Sequence, residues 1–138
     1  MIQKIDEYNG EINLGVIAGA VSGNLVVLDF DNMNFHDKFM KELSENYPKL
    51  YEKLYNTMQV ETSKGIHYYI RTTESKKTKQ IVAKKEDGKS TVLMDIKAKG
   101  SYVVTIGSKH PNGSIYKLTT EDMHIEEFSN DEYEDLGF

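Results

Sequence analysis

The sequence predicts an α/β domain built on a mixed or antiparallel sheet, with helices on one face and an open polar face on the other. Three observations point there. Residues 24–31 (N-L-V-V-L-D-F-D), 66–72 and 91–97 each alternate with the period of two that a half-buried strand requires. One side of these segments carries Val26, Leu28 and Phe30, then Ile66, Tyr68 and Ile70, then Val92, Met94 and Ile96; the other carries Asp29 and Asp31, then His67, Tyr69 and Arg71, then Leu93, Asp95 and Lys97. After the first segment, Phe35, Phe39, Leu43 and Tyr47 recur every four residues, giving a helix one apolar stripe to lay on such a sheet.

Taken in order, residues 1–11 are polar and read as a frayed lead-in. Residues 12–18 have strand composition, and Gly15, Gly19 and Gly23 serve a hairpin into the strand of Asp29; the Lys-Ser/Thr ending of a phosphate-binding P-loop is absent. Asn32 or Asn34 can cap the first helix. Pro48 suits the first turn of a second helix through Leu50, Tyr51, Leu54 and Tyr55, whose spacing assigns the aromatics to the core rather than to base stacking. His36 falls on the polar side of the first helix and reads as solvated.

Residues 57–62 and 66–72 make a strand pair joined by S-K-G. Residues 73–90 are lysine-rich and weakly patterned, apart from the apolar 81–83 and a turn at Asp87-Gly88, so Lys76, Lys77 and Lys79 read as a solvated loop. Residues 102–106 and 114–118 suggest a hairpin around G-S-K-H-P-N-G at 107–113. The expected division is a catalytic core over 1–118 and an acidic tail over 119–138, anchored by Ile125 and Phe128.

Composition narrows the chemistry. A chain of 138 residues is most simply one domain, able to bury roughly two-thirds of its unfolded surface. With no cysteine it has no disulfide framework, zinc-thiolate site or thiol nucleophile, which suits a reducing cytoplasm. No apolar run is long enough for a membrane span, and the N-terminus lacks the apolar core of a signal peptide, so a soluble, cytoplasmic protein is expected. The net charge of -5 is unevenly spread: residues 62–99 hold ten Lys/Arg against four Asp/Glu, whereas 119–138 hold eight acids and no Lys or Arg. A basic middle leaves room for a polyanion or a triphosphate.

Asp29 and Asp31, delivered side by side, repel each other unless a cation lies between them, and oxygen-only ligands favour magnesium or manganese over zinc. An acidic pair that merely closes a strand is the plain structural alternative. Asp95 and His67 on matching strand faces extend the cluster.

The order L-D-F-D, S-K-G-I-H, M-D-I-K, G-S-Y-V-V and S-K-H-P-N-G resembles the bifunctional primase-polymerase (prim-pol) domain of the archaeo-eukaryotic primase superfamily, over about residues 13–118. That family's acid-x-acid pair, small-x-His and third acid fall on Asp29 and Asp31, on residues 65–67, and on Asp95. The resemblance implies an RRM-like sheet and a DNA primase-polymerase core of the kind found in plasmid or virus replication proteins. It further implies two Mg2+ or Mn2+ ions held by Asp29, Asp31 and Asp95, with His67 on the phosphates of the incoming nucleotide. Ser63, Lys64, Gly65, Lys97, Ser108 and His110 would be further nucleotide contacts. The implied partners are nucleoside triphosphates and primed DNA template, with helicase or other replication domains in a longer protein. Family members usually carry several dozen more residues before the segment matching 13–19, so a fragment or a compact member is expected. The cysteine-bearing zinc module of some relatives is missing.

Other readings compete. Asp95-Ile96-Lys97 with an earlier Asp also fits a metal-dependent nuclease, which leaves residues 65–67 unexplained. A D-x-D phosphatase needs a later acid pair that is not apparent. A non-catalytic nucleotide-binding replication module would have little reason to gather three carboxylates, which repel without a metal.

Overall fold

The computed structural model describes residues 2–8, 11–19, 23–104, 117–120 and 123–138. In chain order these form β1 (Ile2–Tyr8), β2 (Glu11–Ile17), β3 (Leu25–Phe30), α1 (Met33–Asn46), α2 (Pro48–Asn56), β4 (Gln59–Glu61), β5 (Ile66–Thr72), β6 (Lys79–Lys84), β7 (Ser90–Lys97), β8 (Tyr102–Val104), β9 (Lys117–Leu118), β10 (Glu126–Phe128) and α3 (Asn130–Asp135). The larger sheet runs β6-β7-β3-β5-β4-β9 with antiparallel neighbours throughout, and β10 adds to β5 in parallel. A smaller antiparallel sheet has the order β1-β2-β8. The fold is therefore the α/β class the alternation predicts, with a mixed sheet. No helix among the described residues is long and apolar enough to cross a membrane.

The apolar triplets meet as expected. Val26, Leu28 and Phe30 from β3, Tyr68 and Ile70 from β5, and Met94 and Ile96 from β7 form one buried layer against Met40 and Leu43 of α1 and Leu50 and Leu54 of α2. Asn32 caps α1, its side chain accepting a hydrogen bond from the Phe35 amide at 3.0 Å, and Pro48 opens α2. Phe35 and Phe39 pack beside Phe30, whereas Tyr47 and Tyr55 are exposed.

Several expectations are corrected. Residues 2–8 are not a frayed lead-in but a strand paired with β2; a register irregularity between Lys4 and Asp6 hides its period of two. His36 is not solvated: its ring packs edge-on to Phe30, stacks on Tyr68 and meets the Tyr68 hydroxyl at 2.7 Å, a long polar-looking residue filling the seam between α1 and the sheet. Part of the lysine-rich segment is the edge strand β6, joined to β7 through the turn at Asp87-Gly88. The described parts of the expected 102–118 hairpin pair elsewhere, β8 with β2 and β9 with β4, and its loop lies outside the described residues.

The latter part of the acidic segment packs on the core. Phe128, Tyr133 and Leu136 are buried in the main core, and Phe138 stacks on Phe39 at 5.2 Å. Ser129 and Glu132 cap α3 reciprocally, and Lys53 bonds Glu132, so the acids face outward while the apolar residues between them turn in. Ile125 packs against a second, smaller cluster of Leu25, Val27, Met58, Val60 and Tyr69 on the opposite face of the sheet. That face is thus apolar over part of its area, and the open polar platform is confined to the remainder.

Candidate active site

Register decides what shares that remainder. Asp29 of β3 stands directly across from His67 of β5 on one side and from Asp95 of β7 on the other. Directly opposed residues of antiparallel strands project to the same face, so one row across three strands delivers all three side chains together. Asp31 follows one pleat further, just past the end of β3, where the Asn32 amide donates to the Leu93 carbonyl at 3.3 Å and ties the start of α1 to β7. Carboxylate oxygens of Asp29, Asp31 and Asp95 lie within 4.8 Å of one another, with Asp31 exposed and the other two half-buried.

The second motif works through its glycine as well as its histidine. A Cβ on Gly65 would lie 1.8 Å from the Phe30 carbonyl oxygen, so no other residue lets the loop before β5 close on the end of β3. The Thr62 amide donates to the Gly65 carbonyl at 2.9 Å, and the Gly65 amide donates to Thr62 Oγ1 at 3.1 Å, which fixes the turn that carries the exposed Ser63 and Lys64. His67 then enters the sheet with Nε2 3.1 Å from Asp29 Oδ1.

The electrostatics divide the carboxylates. Burial pushes the Asp29 carboxyl up, but its hydrogen bond to His67, the charge of His67 and Lys97 outweigh that and hold it below the usual carboxylate range. Asp31 goes the other way, raised to about 6 by desolvation and then by the negative charges of Asp29 and Asp95. Three converging carboxylates that cannot all ionise comfortably form a site that a hard divalent cation would stabilise, and an all-oxygen donor set suits magnesium or manganese. The residues therefore fit a metal of that kind.

Of the sequence-predicted set, the structure brings together Asp29, Asp31, Asp95 and His67, with Gly65 beneath them and Lys97 one pleat along β7 from Asp95. Ser63 and Lys64 sit on the adjoining loop, and Ser108 and His110 lie outside the described residues. Sequence reasoning missed Gln80, whose Nε2 donates to Asp95 Oδ1 at 3.0 Å from the neighbouring strand. Counting back from the Asp87-Gly88 turn would have put Lys79 there; an irregularity between Ile81 and Val82 moves Gln80 opposite Asp95 instead.

The family model described as bifunctional DNA primase/polymerase, N-terminal, matches residues 1–131. No curated protein matches the chain. The family implies DNA primase/polymerase function in general, with nucleotide and DNA binding and dependence on a metal. The match takes in every strand that delivers the carboxylates and His67 and reaches into α3, and on that extent the chain belongs to the family of bifunctional DNA primase/polymerase N-terminal domains.

Proposed function

We propose that the domain is the catalytic core of a DNA primase-polymerase that transfers a nucleotidyl group from a (deoxy)nucleoside triphosphate to a primer or initiating nucleotide on a DNA template. The observation that carries this reading is the convergence of Asp29, Asp31 and Asp95 within 4.8 Å on one face of the sheet. These three residues would hold two Mg2+ or Mn2+ ions. When bound, such ions activate the attacking hydroxyl and neutralise the triphosphate in an in-line displacement.

The chain's own residues supply the setting. The 3′-oxygen bonds to the α-phosphorus, the bond to the leaving pyrophosphate breaks, and the hydroxyl proton is accepted by a carboxylate of the cluster, from which it passes to water. His67 reaches the phosphates of the incoming nucleotide, and its contact with Asp29 keeps the ring oriented in the meantime. Lys64 and Ser63 border the site on a turn fixed by Thr62 and Gly65, and Lys97 adds a positive charge that Asp29 already senses. Ser108 and His110 are proposed as further nucleotide contacts from the family resemblance alone.

A labelled primer on a template, given nucleotides and Mg2+ or Mn2+, is expected to lengthen, and chelator is expected to stop it. Shortening without nucleotides, lost in Lys97→Ala, would replace this reading with the nuclease. Nucleotide binding with neither product would support the non-catalytic replication module.

A further inference from the structure

The lysines concentrated in the middle of the sequence line one edge of the larger sheet. β6 pairs with β7 on one side and, among the described residues, with nothing on the other. Residues 76–85 contain five lysines and no Asp or Glu. Lys76 is used in packing, bonded to Asn130 and lying 4.9 Å over the Tyr133 ring. Lys77, Lys79, Lys84 and Lys85 are exposed, and none has an ion-pair partner among the described residues.

Position gives this strip its meaning. The strand itself, from Lys79 to Lys84, spans about 17 Å, with Lys77 just before it and Lys85 just after it. The strip is one strand from Asp95 and two from Asp29; Gln80, in its middle, donates to the Asp95 carboxylate, whereas Lys79 and Lys84, across from Ile96 and Ser90, start from the other face and offer their charge at the open edge. The opposite margin of the sheet, around β4, β9 and β10, carries Glu61, Glu126, Glu127 and Glu132 against two lysines, Lys117 across from Glu61 and Lys53 paired with Glu132, and so keeps a negative balance. A polyanion approaching the carboxylate cluster is therefore drawn to the β6 side and repelled from the other.

We infer that the β6 edge binds the sugar-phosphate backbone of the primed DNA template, holding it at the margin of the sheet one strand from Asp95; this rests on the polymerase reading above. Lysine suits the task, because a flexible point charge holds phosphate without reading bases, as a template of any sequence demands. Lysines on an open edge also discourage pairing with a second sheet. The two roles part in the salt dependence of DNA binding, which only phosphate contacts set.

The test is fluorescence anisotropy of a primed duplex with the full chain across a salt series. K77Q/K79Q/K84Q/K85Q is expected to lower the slope of log affinity against log salt by about 3.6, at about 0.9 per phosphate contact. Between about 50 and 200 mM salt the wild type would then lose about a hundredfold more affinity than the variant. Nucleotide and Mn2+ binding are expected to stay at wild-type values. The all-arginine version is expected to keep the wild-type slope, and K38Q/K41Q/K49Q, on the exposed sides of α1 and α2, to change it by less than about 1. Should the quadruple variant aggregate, K77Q/K79Q and K84Q/K85Q separately should each give about half the effect.

An unchanged slope in folded, monomeric variants overturns the proposal. So does an equal drop from the α1 and α2 lysines, which would make the effect one of bulk charge. A wild type that binds no primed DNA even at low salt overturns the polymerase reading as well.

Discussion

Val27 and Asp29 stand two residues apart on the same face of β3, in opposite surroundings. Val27 is fully buried with Leu25, Met58, Val60 and Tyr69, and Leu118 and Ile125 pack against that cluster. Asp29 lies between His67 and Asp95, with the exposed Asp31 beyond it. The first half of the face is a small second core that steadies the strands; the second half is an open cluster of charge. Alternation in a sequence says which residues share a face, but the segments that cross the face decide whether it is core or site.

The change expected to hurt most strikes where the halves are locked together. Gly65→Ala would drive a methyl into the Phe30 carbonyl, so the start of β5 must move away from β3 and take His67 out of register with Asp29. Primer extension should be abolished and stability lowered by about 3 kcal/mol, read by urea denaturation. Wild-type activity in Gly65→Ala would mean that the close approach is not what aligns the motifs.

A crossed pair comes next. Asp29→Asn should cost more than about a hundredfold in turnover and in Mn2+ affinity, since even indirect support of a metal ligand is worth 10- to 100-fold, while thermal stability holds. Val27→Ala should do the reverse, losing about 2 kcal/mol of stability to a cavity with Mn2+ binding retained. If both variants lose both properties, the two halves are one cooperative unit rather than a core and a site.

The pH response is smaller but has a definite sign. Asp31 titrates at about 6 in the folded protein against an ordinary 3.8, so between those values the folded state holds a proton that the unfolded chain has released. The metal-free protein should therefore gain stability as pH falls from about 7 into that window, and Mn2+ affinity should fall over the same range. Asp29, held low, works in the opposite direction only at more acid pH. Asp31→Asn should flatten the dependence of Tm on pH above about 4; an unaltered profile would assign it to another group.

Gln80→Ala is the mildest, expected to weaken Mn2+ binding about tenfold by releasing the Asp95 carboxylate, with the fold intact. No change in titration calorimetry would make Gln80 a bystander.

Much of this was legible in the residues. The period-two triplets identified β3, β5 and β7 and the face on which Asp29, His67 and Asp95 meet, because one buried face pins the register of a central strand. Asn32 and Pro48 announced the two helix starts for local reasons that need no tertiary context. What escaped was non-local. The irregularity in β6 that brings Gln80 to Asp95 leaves no mark in K-Q-I-V-A-K, and His36 is polar by type but enclosed by the rings of Phe30 and Tyr68. Phe128 was legible as an anchor, but the acids of 126–135 outnumber the apolar residues and disguise Tyr133, which also reaches the core, as does Leu136 just beyond.

That last segment bears on how the protein is made. β10 lies against β5, and Phe128 completes the core above β3, yet about 100 residues separate Phe128 from the end of β3. At ribosomal rates of roughly 5–20 residues per second, the nascent chain carries the sticky run from Leu25 to Leu28 for roughly 5–20 s before its last covering piece is synthesised. During that interval the strand lacks its full cover, and termination of translation before residue 128 would release a chain with an unfinished, aggregation-prone interior.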